Sequence, residues 1–265
     1  MPYIDLIDVE LNYRVDGRKD APAVVFSNSL GADLTMWDAQ IPLLVDRYQV
    51  VRYDTRGHGE SSAPQGPYSI AELARDVLAL TGALGIDRFV FCGLSMGGAI
   101  GQWLAINAAE RVSRLVLSNT GAKIGNDQTW NARIEAVRNG GLEAIADAVL
   151  ARWFTAGFLA RSPDIVASVR SIMVAADVDG YLACCEAIRA ADQRDAVSSI
   201  AVPTLVISGT HDVSTPPHDG RFLADRIRGA RYVELDAAHV SNIEAAERWN
   251  AVLSDFLQGP GDGRS

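Results

Sequence analysis

The sequence predicts an α/β fold in which a mostly parallel sheet is flanked by helices and carries an inserted helical cap. Over residues 1–121, short apolar runs alternate with helical patterns, which is typical of strands joined by crossover helices. Over 122–195 no strand-like run occurs and helical periodicity dominates, and over 196–258 the alternation returns. We therefore interpret 1–121 and 196–258 as one core and 122–195 as its cap.

The strands of the first core segment follow from two patterns. Residues 3–9 and 11–15 alternate apolar and polar side chains and are followed by Asp16-Gly17, which predicts a hairpin. Continuous, mostly apolar runs predict strands that are covered on both faces. These runs span 23–26, 49–53, 88–91 and 112–117.

Helices are expected between these strands. One is predicted over 36–45, with bounds left open by Pro42, and another over 99–107. Ser69 is placed to cap a longer helix that Gly85 ends. Its apolar side chains recur on one face, at Ile70, Leu73, Val77, Leu80 and Leu84.

The cap and the second core segment complete the chain. Breaks in the cap helices are expected at Gly140-Gly141, Gly157 and Ser162-Pro163. The second core segment reads as strand, helix, strand, helix over 203–209, 217–227, 232–235 and 243–257. The glycine-rich tail 259–265 is expected to be disordered.

Composition excludes several classes of function. The 265-residue chain has a net charge of −9, which argues against a nucleic-acid partner. Its three cysteines have no regular spacing, so we expect no disulfide framework, no metal site and a reducing compartment. Neither a secretion signal nor an apolar stretch of about 18 residues occurs, so we expect a cytoplasmic protein without a membrane span. Whether it forms a homo-oligomer stays open.

A Gly-x-Ser-x-Gly motif, with Ser95 between Gly93 and Gly97, lies between a predicted strand and a predicted helix. In this context the motif predicts a nucleophile elbow, a sharp turn that exposes the serine hydroxyl at a helix N-terminus. Small neighbours are needed because larger side chains would collide in the turn. Ser95 is therefore the candidate nucleophile.

A serine hydroxyl needs a base and an orienting acid. His239 follows the strand 232–235, and Asp212 follows the strand 203–209. Both would lie at the carboxyl edge of the sheet, where ligands bind in open α/β sheets. The chain order Ser95, Asp212, His239 is the order that this arrangement requires.

Other histidines and acids remain as alternatives. His211 adjoins Asp212 and is interpreted as a loop residue, and His58 as a brace for the loop near the elbow. His218 is interpreted as a surface residue. Asp236 is a rival acid, but it is only three residues from His239 and poorly placed to reach the far ring nitrogen.

A tetrahedral intermediate would need two hydrogen-bond donors for its oxyanion. The backbone N–H of Met96, directly after the nucleophile, is one expected donor. The second is expected from the loop after the strand 23–26, where Leu30 is the candidate.

Five segments, 27–31, 36–40, 54–59, 92–98 and 130–134, resemble the 3-oxoadipate enol-lactonase family. The resemblance covers nearly the whole chain, and Asn28-Ser29 agrees with the lactonases, where many other relatives carry His-Gly. It implies an α/β-hydrolase fold and hydrolysis of 3-oxoadipate enol-lactone in bacterial aromatic degradation, without cofactor or metal.

The implied substrate is a small anionic lactone with a free carboxylate, so an acidic protein must supply a cation for it. In the cap, Arg133 is the first candidate, with Trp130 as an apolar wall. Arg152 and Trp153 form the second candidate pair. The alternative is that these are surface residues with partly buried stems.

Two groups of rival functions remain. The triad alone does not separate a lactonase from a carboxylesterase, a carbon–carbon bond hydrolase or a perhydrolase. A catalytically silent relative that only binds a ligand is the alternative from another class.

Overall fold

A computed structural model describes residues 2–259 of the chain. The predicted disordered tail falls, apart from Gly259, outside the described residues. The described core contains a sheet with the strand order β1-β2-β4-β3-β5-β6-β7-β8. The strands are β1 (Tyr3–Asp5), β2 (Glu10–Gly17), β3 (Ala23–Ser27), β4 (Gln49–Tyr53), β5 (Phe89–Leu94), β6 (Val112–Ser118), β7 (Thr204–Gly209) and β8 (Arg231–Leu235).

The sheet is mostly parallel, as predicted. Only β1 and β2 form antiparallel ladders, β1 with β2 and β2 with β4. The five remaining ladders, from β4 across to β8, are parallel. Every residue of β3, β4, β5 and β7 is buried, which explains their continuous apolar character. The carboxyl ends of the parallel strands therefore meet at one edge of the sheet.

Helices follow the strands in an alternating order that confirms the predicted α/β class. A 3₁₀ helix over Leu34–Gln40 precedes the first α-helix. Helix α3 (Met96–Asn107) packs against β3, β5 and β6, and α9 (Pro217–Arg226) packs against β7 and β8. The α-helices are α1 (Ile41–Leu44), α2 (Ile70–Ala83), α3 (Met96–Asn107), α4 (Asp127–Gly140), α5 (Glu143–Trp153), α6 (Ala156–Arg161), α7 (Pro163–Ala175), α8 (Val178–Ala190), α9 (Pro217–Arg226), α10 (Ser241–Glu244) and α11 (Ala246–Gln258).

The predicted cap segment contains α4 to α8, which lie in the chain between β6 and β7. Helix α4 packs on α5 and α8, and α7 packs on α5 and α6. One close approach of the cap to the core lies at Gly57: a Cβ on Gly57 would lie 2.5 Å from the Cα of Gly180 at the start of α8. Two glycines thus allow backbone to pack on backbone here.

Three local predictions differ from the structure in detail. Gly157 lies inside α6 and does not break the cap helices there; the break falls at Phe154, and Thr155 caps α6 by accepting from the Phe158 N–H. The helix predicted over 36–45 begins as the 3₁₀ helix, whose cap is Asp33. The helix predicted over 243–257 is two helices, because the chain bends at Ala245 (φ −119°). In the part of the chain that the structure describes, no helix is both long and apolar enough to cross a membrane.

Candidate active site

Ser95 lies in the sharp turn that the motif predicted, between the end of β5 and the start of α3. Its backbone has φ 57° and ψ −111°, a conformation that L-residues rarely adopt. The turn leaves no room at its flanks. A Cβ on Gly93 would lie 2.1 Å from the Gly97 carbonyl oxygen, and a Cβ on Gly97 would lie 2.2 Å from the Ser27 carbonyl oxygen. Both glycines are required by close backbone approach.

Neighbouring strands hold the strained turn by hydrogen bonds. The Ser95 N–H donates to the Ser118 carbonyl oxygen at 3.0 Å, and the Thr120 hydroxyl donates to the Ser95 carbonyl oxygen at 2.8 Å. The Gly97 N–H donates to the Asn28 carbonyl oxygen at 3.0 Å. The loops after β3 and β6 thus fix the position of the serine.

Asp212 and His239 form a buried pair at the ends of β7 and β8. Nδ1 of His239 lies 2.8 Å from Oδ2 of Asp212, and each residue is 3% exposed. Oδ2 also accepts from the Thr215 hydroxyl at 2.8 Å, and Oδ1 accepts from the N–H groups of Ser214 and Thr215. Burial opposes ionisation of Asp212, but the charge of His239 and these hydrogen bonds outweigh it and lower its pKa. Asp212 is therefore an ionised acceptor for the imidazole N–H.

Asn119 is a member of this network that sequence reasoning missed. It follows β6 directly, is fully buried and has φ 45°, which is unusual for a residue other than glycine. Its Nδ2 donates to Oδ2 of Asp212 at 3.0 Å and to the Ala238 carbonyl oxygen at 3.1 Å. Its Oδ1 accepts from the Ser241 hydroxyl. One amide thus joins the acid loop to the histidine loop.

The structure gives the alternative histidines and the rival acid surroundings outside the pocket of Ser95. His211 pairs with Asp236 on the surface, where both side chains are largely exposed. His218 is exposed beside Asp219. His58 is buried, and its Nδ1 lies 3.3 Å from the Arg56 carbonyl oxygen. None of His58, His211, His218 and Asp236 lines the pocket that contains Ser95 and His239.

The two expected oxyanion donors are backbone groups at the same edge. Leu30 lies in the loop after β3 and lines the pocket, and its N–H has no acceptor within the described part of the chain. Met96 is the first residue of α3, so its N–H has no partner within the helix. The helix dipole adds positive potential at this position.

A cavity of about 530 Å³ opens onto Ser95 and His239. All three predicted substrate-binding residues, Trp130, Arg133 and Trp153, line it, and so does Arg152. The Arg133 guanidinium lies 5.0 Å from the centroid of the Trp130 ring. The Trp130 indole N–H donates to the Ile124 carbonyl oxygen at 2.7 Å, which fixes the ring as a wall.

The two arginines give the cavity a local positive charge. Within residues 2–259, neither Arg133 nor Arg152 forms an ion pair with a carboxylate. Burial and the nearby Arg133 charge lower the pKa of Arg152. Two guanidinium groups of like charge in one cavity favour an anionic ligand between them.

Among the residues that the structure describes, no group of three or more His, Cys, Asp or Glu side chains could hold a metal ion. What the cavity does bring together is a hydroxyl, a histidine–carboxylate pair and two backbone N–H groups. Such a set can carry out acyl transfer.

Comparison with known proteins agrees with this geometry. The family description "alpha/beta hydrolase fold" matches residues 22–142. The chain is 47% identical over 251 residues to 3-oxoadipate enol-lactonase 2 of Acinetobacter baylyi, covering 95% of this chain and 94% of that protein. It is 38% identical to 3-oxoadipate enol-lactonase 1 of the same organism, over 94% and 93% of the two chains. The crystal structure of the enol-lactonase from Burkholderia xenovorans LB400 superposes with a TM-score of 0.96 at 51% identity, covering 97% of this chain and all of that one.

Fold and site together define an α/β hydrolase. At these levels of identity and coverage, the chain belongs more narrowly to the 3-oxoadipate enol-lactonase family. The resemblance drawn from the sequence motifs is thereby confirmed.

Proposed function

We propose that this chain hydrolyses 3-oxoadipate enol-lactone to 3-oxoadipate with a Ser95–His239–Asp212 triad. One observation carries the proposal: a single cavity is lined by Ser95, His239 and two arginines that have no carboxylate partner within the described residues. The first two groups suit attack on an ester carbonyl, and the arginines suit the free carboxylate of the lactone. The names of the relatives support the same substrate.

The chemistry begins at Ser95. Because Nδ1 of His239 donates to Asp212, its Nε2 is the ring nitrogen that can accept the hydroxyl proton. The serine oxygen attacks the lactone carbonyl, and the carbonyl–ring oxygen bond breaks. The leaving group is an enol oxygen, which takes the proton from His239 and tautomerises to a ketone.

The acyl-enzyme then reacts with water. His239 removes a proton from the water molecule, the hydroxide attacks the ester carbonyl, and the proton returns to Ser95. In both steps the carbonyl oxygen becomes an anion, for which the N–H groups of Leu30 and Met96 are the proposed donors. One lactone and one water give one 3-oxoadipate, and neither a cofactor nor a metal takes part.

In this proposal the cap selects the substrate. Arg133 would bind the acetate carboxylate, with Arg152 as a second cation and the rings of Trp130 and Trp153 against the lactone ring. Charge-assisted hydrogen bonds from a guanidinium are strong and directional, so they would also orient the carbonyl toward Ser95. We place the reaction in the cytoplasm, within bacterial aromatic catabolism.

The test follows the ultraviolet absorbance of freshly generated 3-oxoadipate enol-lactone with purified protein. With the wild type we expect rapid hydrolysis of the lactone and weak turnover of p-nitrophenyl acetate. In Ser95→Ala the kcat for both substrates should fall by at least about a thousandfold. Ester turnover without lactone loss would keep the triad and refute the substrate, as for a general carboxylesterase. If neither substrate is turned over, the result would favour a protein that only binds a ligand.

A further inference from the structure

We propose that Glu244 is a positioning residue that couples the cap to the catalytic histidine. Glu244 ends α10, five residues after His239, and is only 9% exposed. The inference rests on the proposed function, because it assigns substrate selection to the cap and proton transfer to His239.

The Glu244 carboxylate joins two segments that are distant in sequence. Its Oε2 accepts from the Ala238 N–H at 2.8 Å, directly before His239. Its Oε1 accepts from the Thr155 N–H at 3.2 Å and from the Thr155 hydroxyl. Thr155 is the N-cap of α6, so the carboxylate contacts the cap on one side and the histidine loop on the other.

A second contact runs parallel to the first. The Val240 N–H, directly after His239, donates to the Trp153 carbonyl oxygen at 3.1 Å. Both neighbours of His239 are therefore tied to the segment 153–155, one directly and one through Glu244. The side chain of Trp153 lines the substrate cavity, so a shift of this segment would move a wall of the cavity and the base together.

The carboxylate acts here only as an acceptor. Glu244 forms no ion pair with a basic side chain among residues 2–259, and its two oxygens accept from N–H and O–H donors instead. An amide could keep both contacts, because its NH₂ group can donate to the Thr155 hydroxyl oxygen while its own oxygen accepts from the Ala238 N–H. Glu244→Met keeps the unbranched length of the side chain but has neither oxygen, so it removes both sides of the link.

The two sides of the link have separable kinetic consequences. Loss of the histidine side misplaces the base for every substrate, so Glu244→Met should lower kcat about tenfold for both the lactone and p-nitrophenyl acetate, with the KM of the ester unchanged. Loss of the cap side affects only a substrate that reaches the cap. Thr155→Ala should therefore lower kcat/KM for the lactone about fivefold and spare the ester.

Two control variants separate coupling from a general loss of structure. Thr155→Ser retains the hydroxyl and should behave as the wild type. Asp177→Ala removes the N-cap of another cap helix, α8, without contact to Glu244, and should retain lactone kcat/KM. Each variant is measured with both substrates, beside a thermal melt and circular dichroism.

The proposal is overturned if folded Glu244→Met retains wild-type kcat on both substrates or changes only KM. It is also overturned if Asp177→Ala loses as much lactone turnover as Thr155→Ala. Should Glu244→Met fail to fold, the threonine pair and Asp177→Ala decide between these outcomes. If the wild type turns over the ester but not the lactone, the proposed substrate fails, and the kcat of Glu244→Met on the ester still tests the link to His239.

Discussion

At the scale of single residues, Asn119 illustrates how His239 and Asp212 are held in place relative to each other. Its amide donates to both Asp212 and the Ala238 carbonyl oxygen, at 3.0 and 3.1 Å. Its backbone is also strained, at φ 45°. Such strain persists only where surrounding contacts determine it, and here the loop of Asp212, the loop of Ala238 and the start of α10 supply those contacts.

Replacing Asn119 should lower catalysis through its side chain. We expect Asn119→Ala to reduce kcat on p-nitrophenyl acetate about tenfold to a hundredfold, because Asp212 and the histidine loop lose a shared donor. Asn119→Gly relieves the strained backbone but lacks the amide, so it should lose as much activity. Recovery of wild-type kcat in the glycine variant would instead assign the role to the backbone.

The proposed contact between Arg133 and the substrate carboxylate can also be tested at a single residue. Arg133→Ala should lower kcat/KM for the lactone about tenfold to a hundredfold, since a charge-assisted hydrogen bond contributes about 1.5–3 kcal/mol. A neutral ester should be spared. Arg138→Ala serves as the control, because Arg138 lies on the same helix but is exposed and paired with Glu186. Equal losses on the two substrates would contradict a carboxylate contact.

Residue types and chain order were enough to place the groups of the candidate site. Ser95, Asp212 and His239 each follow a predicted strand, and parallel strands end at one edge, so their meeting could be expected from the sequence. Asn119 also follows a strand, which was the available signal. Its partners, however, depend on side-chain directions over more than 90 residues of sequence separation, and no local pattern encodes those.

At the scale of elements, the elbow joins β3, β5 and α3 at distances that only glycine permits. The Gly97 N–H donates to Asn28 in the loop after β3, and a Cβ on Gly97 would lie 2.2 Å from the Ser27 carbonyl oxygen. Helix α3 provides the Met96 N–H, and the β3 loop provides that of Leu30. The spacing between the two expected oxyanion donors thus depends on how closely α3 approaches β3.

Gly97→Ala should therefore separate α3 from β3. We expect a loss of kcat of at least about a hundredfold, since misplacement by 1 Å can cost this much, together with a lower melting temperature. Gly82→Ala is the control: a Cβ there meets no atom within 4 Å, and alanine is the better helix former. It should keep full activity and melt at the same or a higher temperature. If Gly97→Ala keeps wild-type kinetics, the close approach of α3 to β3 is not needed for activity.

Two of the differences between prediction and structure have separate physical causes. Gly157 was expected to break the cap because glycine is a poor helix former, yet the Thr155 cap begins a helix directly before it. The last helix was expected to be continuous because apolar residues recur at helical spacing through the whole segment 243–257. The contact of Glu244 with the cap fixes α10 separately from α11, and this tertiary contact outweighs local periodicity.

At the scale of the whole molecule, cap and core meet at the loop that contains His58. Gly57 packs against Gly180 of α8, the thiol of Cys184 lies 3.8 Å from the Arg56 carbonyl oxygen, and the His58 and Tyr181 rings lie 6.3 Å apart. His58 is 1% exposed. Its Nε2 has no hydrogen-bond partner among the described residues. Protonation of this ring would place beneath the cap a charge that forms no ion pair within residues 2–259, and the nearby charge of Asp177 offsets the effect of burial only in part.

The stability of the folded chain should therefore fall between neutral and mildly acidic pH. Burial lowers the pKa of His58 from its ordinary value of 6.5 to about 4. Between these values the unfolded chain binds a proton that the folded chain excludes. The stability that the folded chain has while His58 is neutral is thus complete above pH 6.5 and is lost as the pH falls toward 4. The free energy of unfolding falls by about 2 kcal/mol at pH 5.

Urea denaturation at pH 7.5 and pH 5 measures this contribution. The wild type should lose about 2 kcal/mol more of its free energy of unfolding between these pH values than His58→Gln, because the glutamine does not titrate. His218→Gln, at an exposed histidine, should lose as much as the wild type. Subtracting the variants removes the contribution of the carboxylates, which titrate in all three proteins. If all three proteins lose the same free energy, His58 is protonated in the folded chain, and the contact between cap and core must then accommodate its charge.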